Sequence, residues 1–213
     1  MLDWWGHANL AADTLKGLIM VKQDSRGLRK AQKAIIDAFI TLVKKKGFLK
    51  VTVQDILDKA QVNKSTFYMY YLDKYDLLDK VEDQLLAGLR EIEDDVPFDL
   101  VIERGISEDT LEPTERFLRY MYDNGELFAL FTNDEYCSAK FVSKHRESTM
   151  TLWKDKDVSN KFAVPQIYAV AALIGMANSL IFEWVKNGFR ETPEDFLVIY
   201  RKIVGTVLKS VFI

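Results

Sequence analysis

The sequence predicts an all-α protein in which three amino-terminal helices precede a longer helical body. Apolar residues recur at helical spacing along most of the chain from residue 28 onward. The four prolines and ten glycines are few and scattered among 213 residues, which favours long uninterrupted helices. The chain is 48% hydrophobic and 29% charged, a balance typical of globular proteins with a sizeable core.

The first helix is predicted from Leu28 to Lys46, where apolar residues recur on one face. Lysines at positions 44–46 place positive charge at the carboxyl end of the helix dipole. Gly47 follows and can adopt the left-handed conformation that ends many helices. The apolar face consists of Ala31, Ile35, Ala38, Phe39, Leu42 and Val43.

Two short helices joined by a tight turn are predicted next. Thr52 can cap the second helix because Asp55 stands three residues later, as in a capping box. Residues 61–63 form the turn, and Asn63 can cap the third helix. This arrangement is that of a helix-turn-helix.

The third helix is expected to expose an unusual surface. Val62, Phe67 and Tyr71 have the spacing that would pack it on the first two helices. The hydroxyl, aromatic and basic side chains that remain suit a recognition helix in the major groove of DNA. An alternative, in which Tyr68 and Tyr70 belong to the core, stays open. The outward residues are Lys64, Ser65, Thr66, Tyr68, Met69 and Tyr70.

A fourth helix is predicted with Asp73 as its cap and Lys74 in its first turn. A lysine opposes the helix dipole at this end. We therefore expect an anion near Lys74, and a DNA phosphate would be a suitable one. The buried stripe of this helix consists of Leu77, Leu78, Val81 and Leu85.

The net charge of −3 conceals an uneven distribution. Residues 26–80 carry twelve lysines and arginines against six acids, whereas residues 81–213 carry fifteen against twenty-three. Lysine and arginine neutralise phosphates in most nucleic-acid complexes. A basic module on an acidic body favours DNA binding, although solvated helix faces alone would give the same counts.

The segment VTVQDILDKAQVNKSTFYMYYLDKYDLL, residues 51–78, resembles the signature of the TetR family of bacterial regulators. The similarity covers the capped second helix, the Thr-Phe-Tyr recognition helix and the Lys-x-x-Leu-Leu start of the fourth. Gln61 replaces the usual turn glycine, and Ser65 replaces a usual small residue. The resemblance implies an amino-terminal DNA-binding domain and a carboxyl-terminal domain for ligand binding and dimerisation.

Carried over by position, the resemblance implies that Thr52 and Lys74 contact phosphate and that Gln54 reaches a base. Arg26, Arg29 and Lys30 precede or begin the first helix and resemble basic arms that follow a neighbouring groove, although a solvated helix start is equally consistent with them. The groove-facing set is Lys64, Ser65, Thr66, Tyr68, Met69 and Tyr70.

The body is predicted to continue with helices from Pro113, from Glu126 to Phe131 and from Asp134 to Trp153. Its aromatic residues suggest a cavity for an apolar or aromatic effector, as the family resemblance implies. Aromatic residues at helical spacing are also typical of a plain core, so both interpretations stay open. The residues concerned are Phe117, Tyr120, Phe128, Phe131, Tyr136, Phe141 and Trp153.

Two long helices end the chain, from about Val164 to Asn187 and from Pro193 to about 212, with Thr192 as the cap of the second. The first is apolar around much of its circumference, which predicts a four-helix interface between two chains. Residues 182–196 also resemble, more weakly, a subgroup that includes dihydroxyacetone-kinase operon regulators.

The sequence is predicted to divide into three parts: residues 1–25, an extension of uncertain status; residues 26–74, the helix-turn-helix DNA-binding domain; and residues 75–213, the helical domain for effector binding and dimerisation. Residues 1–19 fall outside the family pattern and are either an upstream extension or a real helix. The apolar stretch 167–185 contains Asn178 and Glu183, which favours a buried helix over a membrane span. A single cysteine, Cys137, suits a reducing cytoplasm.

These features predict a homodimeric regulator of transcription, with a repressor as the favoured form and a small molecule or protein as its effector. The alternative is a module of the same fold that binds protein and does not read DNA. We do not expect an enzyme, because the two histidines are far apart in the sequence and no metal-ligand cluster or phosphate-binding glycine loop is present. No cofactor or metal is expected.

Overall fold

The computed structural model describes residues 26–212, with side chains from residue 30 onward, and the described chain forms helices and no strand. The all-α prediction is therefore confirmed. Short turns of 3-10 helix lie at Phe48–Lys50, Glu108–Thr110 and Val158–Lys161. The helices are α1 (Arg26–Lys46), α2 (Val53–Ala60), α3 (Lys64–Tyr70), α4 (Lys74–Asp94), α5 (Phe98–Arg104), α6 (Leu111–Asp123), α7 (Gly125–Asn133), α8 (Glu135–Asp155), α9 (Gln166–Lys186) and α10 (Pro193–Val211).

The described chain divides into two compact units. The first contains the described residues up to Ala87 together with Glu126–Ala139. The second contains Gly88–Gly125 and the described residues from Lys140 onward. The first unit includes residues beyond position 74, because the stripe of α4 that begins at Leu77 is buried.

The first unit is built on α1, which packs against α2 and α3. Four of the six residues of the predicted face of α1 are buried, with Ile35 and Phe39 fully inaccessible to solvent. Ile56 of α2 and Phe67 of α3 are also fully buried. Each such side chain contributes about 1.5–3 kcal/mol relative to an exposed position. The two short helices, α2 and α3, are therefore stabilised by the core that they share with α1 rather than by their own length.

The helix caps form as the sequence predicts. Thr52 and Asp55 make a reciprocal capping box at the start of α2. The side chain of Asn63 caps α3, and that of Asp73 accepts from the backbone N–H groups of residues 75 and 76 at the start of α4. Thr192 caps α10 in the same way, with Pro193 in its first turn. These local signals fix where four helices begin.

In the second unit α10 packs against both α6 and α9. The Trp184 ring stacks on Phe196 with 4.2 Å between ring centroids and an interplanar angle of 6°. The indole Nε1 of Trp184 donates to the carbonyl oxygen of Glu191 at 3.0 Å. This stack joins the end of α9 to the start of α10 and fixes the turn between them.

Two differences from the predicted helices are found in the body. Helix α5 was not predicted, and α6 begins at Leu111, two residues before Pro113. Helix α5 has only seven residues and none of them is fully buried, although Phe98 and Ile102 pack against the core of the second unit. Pro113 lies in the first turn of α6, where a missing N–H leaves no hydrogen bond broken.

Helix α9 is, within residues 26–212, the helix whose length and composition would allow it to cross a membrane. A third of its most apolar window is buried within the chain. Core helices of globular proteins satisfy the same criterion, so this is weak evidence for a span. The predictions for residues 1–25, and for the side chains of Arg26 and Arg29, lie outside the described residues.

Candidate nucleic-acid interface

The turn between α2 and α3 centres on Gln61, which has φ 54° and ψ 41°. This is the left-handed conformation that glycine usually provides. The backbone N–H of Val62 then donates to the carbonyl oxygen of Leu57 at 3.3 Å. The substitution of glycine by glutamine therefore leaves the geometry of the turn intact.

Asn63 organises the start of α3 through a single oxygen atom. Its Oδ1 accepts from the backbone N–H of Thr66 at 2.7 Å. The same oxygen accepts from the hydroxyl of Ser65 at 2.7 Å and from that of Thr66 at 2.8 Å. Both hydroxyl hydrogens therefore point at Asn63, and the oxygen lone pairs remain available as acceptors.

Four of the six residues predicted to face outward from α3 are exposed, and the other two are half-buried. Tyr68 is 46% exposed and Met69 is 64% exposed, whereas Phe67 is fully buried. Tyr68 is therefore not a core residue in this chain. Tyr70 is half-buried, and its ring lies 6.1 Å from the ring of Tyr71. Lys64, Ser65 and Thr66 complete the surface, with Thr66 half-buried.

Thr52, the cap of α2, and Gln54 in its first turn are both exposed. Gln54 donates to Asp58 on the same helix at 2.7 Å. Lys46 Nζ lies 2.7 Å from Asp55 Oδ2, and this contact and the bonds from Thr52 hold the pKa of the Asp55 carboxyl well below its usual range. The capping carboxylate is thus charged and fixed at the amino end of α2.

Lys74 has an environment that differs from the expected one. Its Nζ donates to the carbonyl oxygens of Phe48, Leu49 and Val51 at 3.2, 3.0 and 2.8 Å. It also lies 4.8 Å from the centroid of the Phe48 ring and 5.2 Å from that of Tyr75. Carbonyl oxygens and ring faces thus stabilise the ammonium, and a phosphate is not needed to explain a lysine at this helix end.

A second lysine that the sequence analysis did not select supports the recognition helix. Lys80 Nζ donates to the carbonyl oxygen of Tyr70, the last residue of α3, at 2.8 Å. It also pairs with Asp76 at 2.9 Å, which lowers the pKa of that carboxyl group. The spacing of Asp76 and Lys80 on α4 could have predicted their ion pair from the sequence. The contact of Lys80 with α3 depends on the tertiary fold and could not.

The aromatic residues proposed for an effector cavity are not all brought together. Phe117 and Trp153 line a cavity in the second unit. Phe128 and Phe131 are buried in the first unit, where Tyr136 stacks on Phe48 with 4.9 Å between centroids. In the second unit Tyr120 contacts Gly88 of α4, and Phe141 stacks on His145.

Comparison with known proteins finds a family match within the first unit. Residues 35–81 match the family model described as "Bacterial regulatory proteins, tetR family". A segment of 59 residues is 29% identical to an HTH-type transcriptional regulator of Bacillus subtilis (strain 168), YxbF. That segment covers 28% of this chain and 16% of the relative. The sequence match is therefore confined to the DNA-binding part.

Solved structures extend the likeness to the whole fold. A TetR-family transcriptional regulator of Syntrophomonas wolfei has a TM-score of 0.57 at 17% identity, with 84% of this chain and 95% of that chain covered. The fatty acid degradation regulator FadR of Bacillus halodurans has a TM-score of 0.56 at 18% identity, with 88% and 97% covered. A TetR regulator of Streptococcus agalactiae has a TM-score of 0.52 at 24% identity, with 84% and 96% covered.

These identities show a shared fold and nothing about ligands or operators. The family model, in contrast, coincides with the helix-turn-helix whose caps, turn and exposed surface are described above. On this evidence residues 35–81 carry the DNA-binding fold of the tetR family of bacterial regulatory proteins.

Proposed function

We propose that the chain is a transcriptional regulator that binds operator DNA as a homodimer. The observation that carries this proposal is the exposed surface of α3, which is held in place from both ends. Asn63 fixes its first turn through three hydrogen bonds. Lys80 fixes its last carbonyl. A surface fixed in this way and rich in hydroxyl, aromatic and basic groups suits the major groove.

The proposed contacts follow from the placement of each side chain. Thr52 would bind a phosphate, and Gln54 would reach a base once it leaves Asp58. The ammonium of Lys74 is held by three carbonyl oxygens, so we propose that it supports the interface from behind and reaches phosphate only if those bonds rearrange. The groove-facing residues are Lys64, Ser65, Thr66, Tyr68, Met69 and Tyr70.

A homodimer through α9 and α10 is proposed from the apolar surface that these helices expose. Val198 is 68% exposed, and Ile167 and Tyr168 are each 67% exposed. Ile199 and Ile203 add to the same two helices. An apolar surface on two long helices is typical of four-helix interfaces between symmetric subunits. Two recognition helices would then meet half-sites about 34–36 Å apart or a multiple of that distance.

We propose further that an effector in the second unit changes the separation of the two recognition helices and so releases DNA. Repression is the favoured outcome, because a dimer on a promoter obstructs polymerase. The neighbour from Bacillus halodurans is named as a regulator of fatty acid degradation. We also propose that this chain acts in the cytoplasm, by analogy with the transcriptional regulators that its fold resembles.

Selection from a randomised duplex pool at low salt, followed by affinity measurements on the enriched sequence, tests the DNA-binding proposal. The matched pair is Lys64→Ala on α3 and Lys154→Ala on α8, because both residues are exposed lysines. We expect the first to weaken binding roughly tenfold and the second to leave it unchanged. Tyr68→Ala should also reduce the preference for the selected sequence over random DNA.

Enrichment of no sequence, with a folded dimer, would contradict the proposal and favour the alternative of a protein-binding module. Equal effects of Lys64→Ala and Lys154→Ala would show that binding depends on overall charge and not on α3.

A further inference from the structure

The second unit contains a cavity of about 180 Å³. Its wall is mostly apolar and comes from helices α4, α5, α6, α8, α9 and α10. Ile92, Phe117, Trp153, Leu173, Ile181 and Val204 are among the residues that form this wall. Such a lining favours an apolar ligand, and any polar group in the wall then selects for a matching group on that ligand.

Glu93 and His145 are the acidic and the imidazole side chain of this wall, whose other polar residues are Thr114, Thr149, Asn178 and Tyr200. His145 Nε2 lies 3.3 Å from Glu93 Oε1, and the imidazole ring stacks on Phe141. The other carboxyl oxygen, Glu93 Oε2, is buried and has no hydrogen-bond partner within residues 26–212. Buried carboxyl oxygens almost always accept hydrogen bonds, so this atom is suited to a donor from a ligand.

Position 93 also departs from the sequence pattern of its helix. Leu85 and Leu89 of α4 are buried, and Glu93 follows at the same spacing of four residues. An apolar side chain would continue this stripe. A glutamate at this position lacks the stabilisation that a buried apolar side chain would contribute. Such a departure is expected where a residue serves binding and not packing.

The charges around the cavity favour a cationic ligand group. Among the described residues that line it, Glu93 is the acidic residue and none is a lysine or an arginine, while His145 is the basic residue and already faces Glu93 Oε1. Tyr200 is buried in the same wall, and burial together with the charge of Glu93 raises the pKa of its phenol. The phenol therefore stays protonated and adds a neutral hydroxyl, not a second charge.

We propose that this cavity binds a small apolar molecule carrying one primary amine, whose ammonium group donates to Glu93 Oε2. The proposal rests on the function proposed above, because it names the chemistry of the effector. The size of the cavity limits the ligand. An apolar cavity of about 150 Å³ in another protein takes up benzene, so 180 Å³ suits one ring with a short side chain.

Calorimetric titration of the full chain, without DNA, tests the proposal with four probes of nearly equal size. Phenethylamine carries the amine, phenethyl alcohol a neutral hydroxyl, ethylbenzene no polar group, and hydrocinnamate a carboxylate. We expect phenethylamine to bind most tightly and hydrocinnamate most weakly. The fluorescence of Trp153 should change on binding, and Trp153→Phe should abolish that change.

Glu93→Gln and Glu91→Gln are the matched variants, because both residues lie on α4 but Glu91 is exposed and outside the cavity wall. Glu93→Gln should weaken phenethylamine binding roughly tenfold or more while ethylbenzene binding changes little. Glu91→Gln should change neither. Ala177→Leu adds bulk to the cavity wall and should weaken all four probes, which checks the location if Glu93→Gln does not fold.

Equal affinities for phenethylamine and ethylbenzene, or an unchanged affinity in Glu93→Gln, would overturn the amine assignment. Absence of binding by all four probes would overturn the cavity as a ligand site. A separate measurement of DNA affinity with and without phenethylamine keeps the two proposals apart. If the amine binds selectively but does not change the affinity for DNA, the ligand site is supported and the proposed release of DNA by an effector is contradicted.

Discussion

The Nζ of Lys74 lies 2.8 Å from the carbonyl oxygen of Val51, at the point where the chain enters α2. Two further carbonyl oxygens of the same short segment accept from this ammonium. The start of α4 is thereby joined to the loop before α2. Lys74 thus stabilises the helix-turn-helix from inside, as a lysine whose three donors are all used by the protein.

Replacing Lys74 should therefore reduce stability. Lys74→Met keeps the aliphatic stem and removes the charge, leaving three carbonyl oxygens with one partner fewer. We expect a loss of about 2 kcal/mol in the free energy of unfolding, measured by urea titration. Lys64→Met is the control, since Lys64 is exposed, and should change stability by less than about 0.5 kcal/mol. Equal stability of the two variants would contradict the structural role of Lys74.

Asp55 should make the stability of the chain depend on acid pH. Its pKa is lowered in the folded chain by Lys46 and Thr52, so folding favours the charged form. The resulting stabilisation is fully present above the unfolded pKa of about 3.9 and is lost as the pH falls towards the lower folded pKa. The deficit of Asp55→Asn relative to wild type should thus be constant from pH 7 to about 5 and shrink below about 4.

Urea titrations across this pH range measure the deficit of Asp55→Asn. Asp58→Asn, on the same helix, serves as the control for a general loss of negative charge. A deficit that stays constant down to about pH 3 would show that the Asp55 carboxyl is not stabilised in its charged form.

Two substitutions of Asn63 should separate its effect on stability from its effect on DNA binding. Asn63→Ala removes the cap of α3 and should cost about 1 kcal/mol of stability while releasing the Ser65 and Thr66 hydroxyls. Asn63→Asp keeps the capping oxygen and should preserve stability, but its charge would repel phosphate. Thermal unfolding and DNA affinity of both variants test this. If Asn63→Asp binds the selected duplex as wild type does, α3 does not enter a groove.

The proposed dimer predicts a change of mass on substitution of a single residue. Val198→Glu places a charge in the apolar surface of α10 and should convert the dimer to a monomer in sedimentation equilibrium. Leu100→Glu on α5 is the control, because Leu100 is also partly exposed but belongs to neither α9 nor α10. Dimers that survive Val198→Glu would place the interface elsewhere.

Local chemistry made the first unit predictable from sequence. Thr52, Asn63 and Asp73 each cap the helix that follows within three residues, and such signals need no knowledge of the tertiary fold. The buried residues of α1 were likewise visible as a stripe. Once the core positions of α3 were assigned, its remaining residues could be predicted to form the candidate DNA-binding surface.

Contacts between distant segments could not be predicted in this way. Phe128 and Trp153 both appear as aromatic residues in apolar stripes, yet they belong to different units. The pairing of Glu93 with His145 spans 52 residues, and no local pattern joins them. The anion expected beside Lys74 illustrates the same limit, because its actual partners lie more than twenty residues earlier in the chain.

The conformation of Gln61 bears on how the turn is defined across related chains. For a residue with a side chain, the left-handed backbone conformation raises the free energy of the folded state by about 1 kcal/mol. Glycine avoids this strain but loses a comparable amount of conformational entropy on folding. The two choices nearly cancel, so glutamine can occupy the position at little net loss. A pattern that demands glycine there would pass over this chain, whereas one written in dihedral angles would include it.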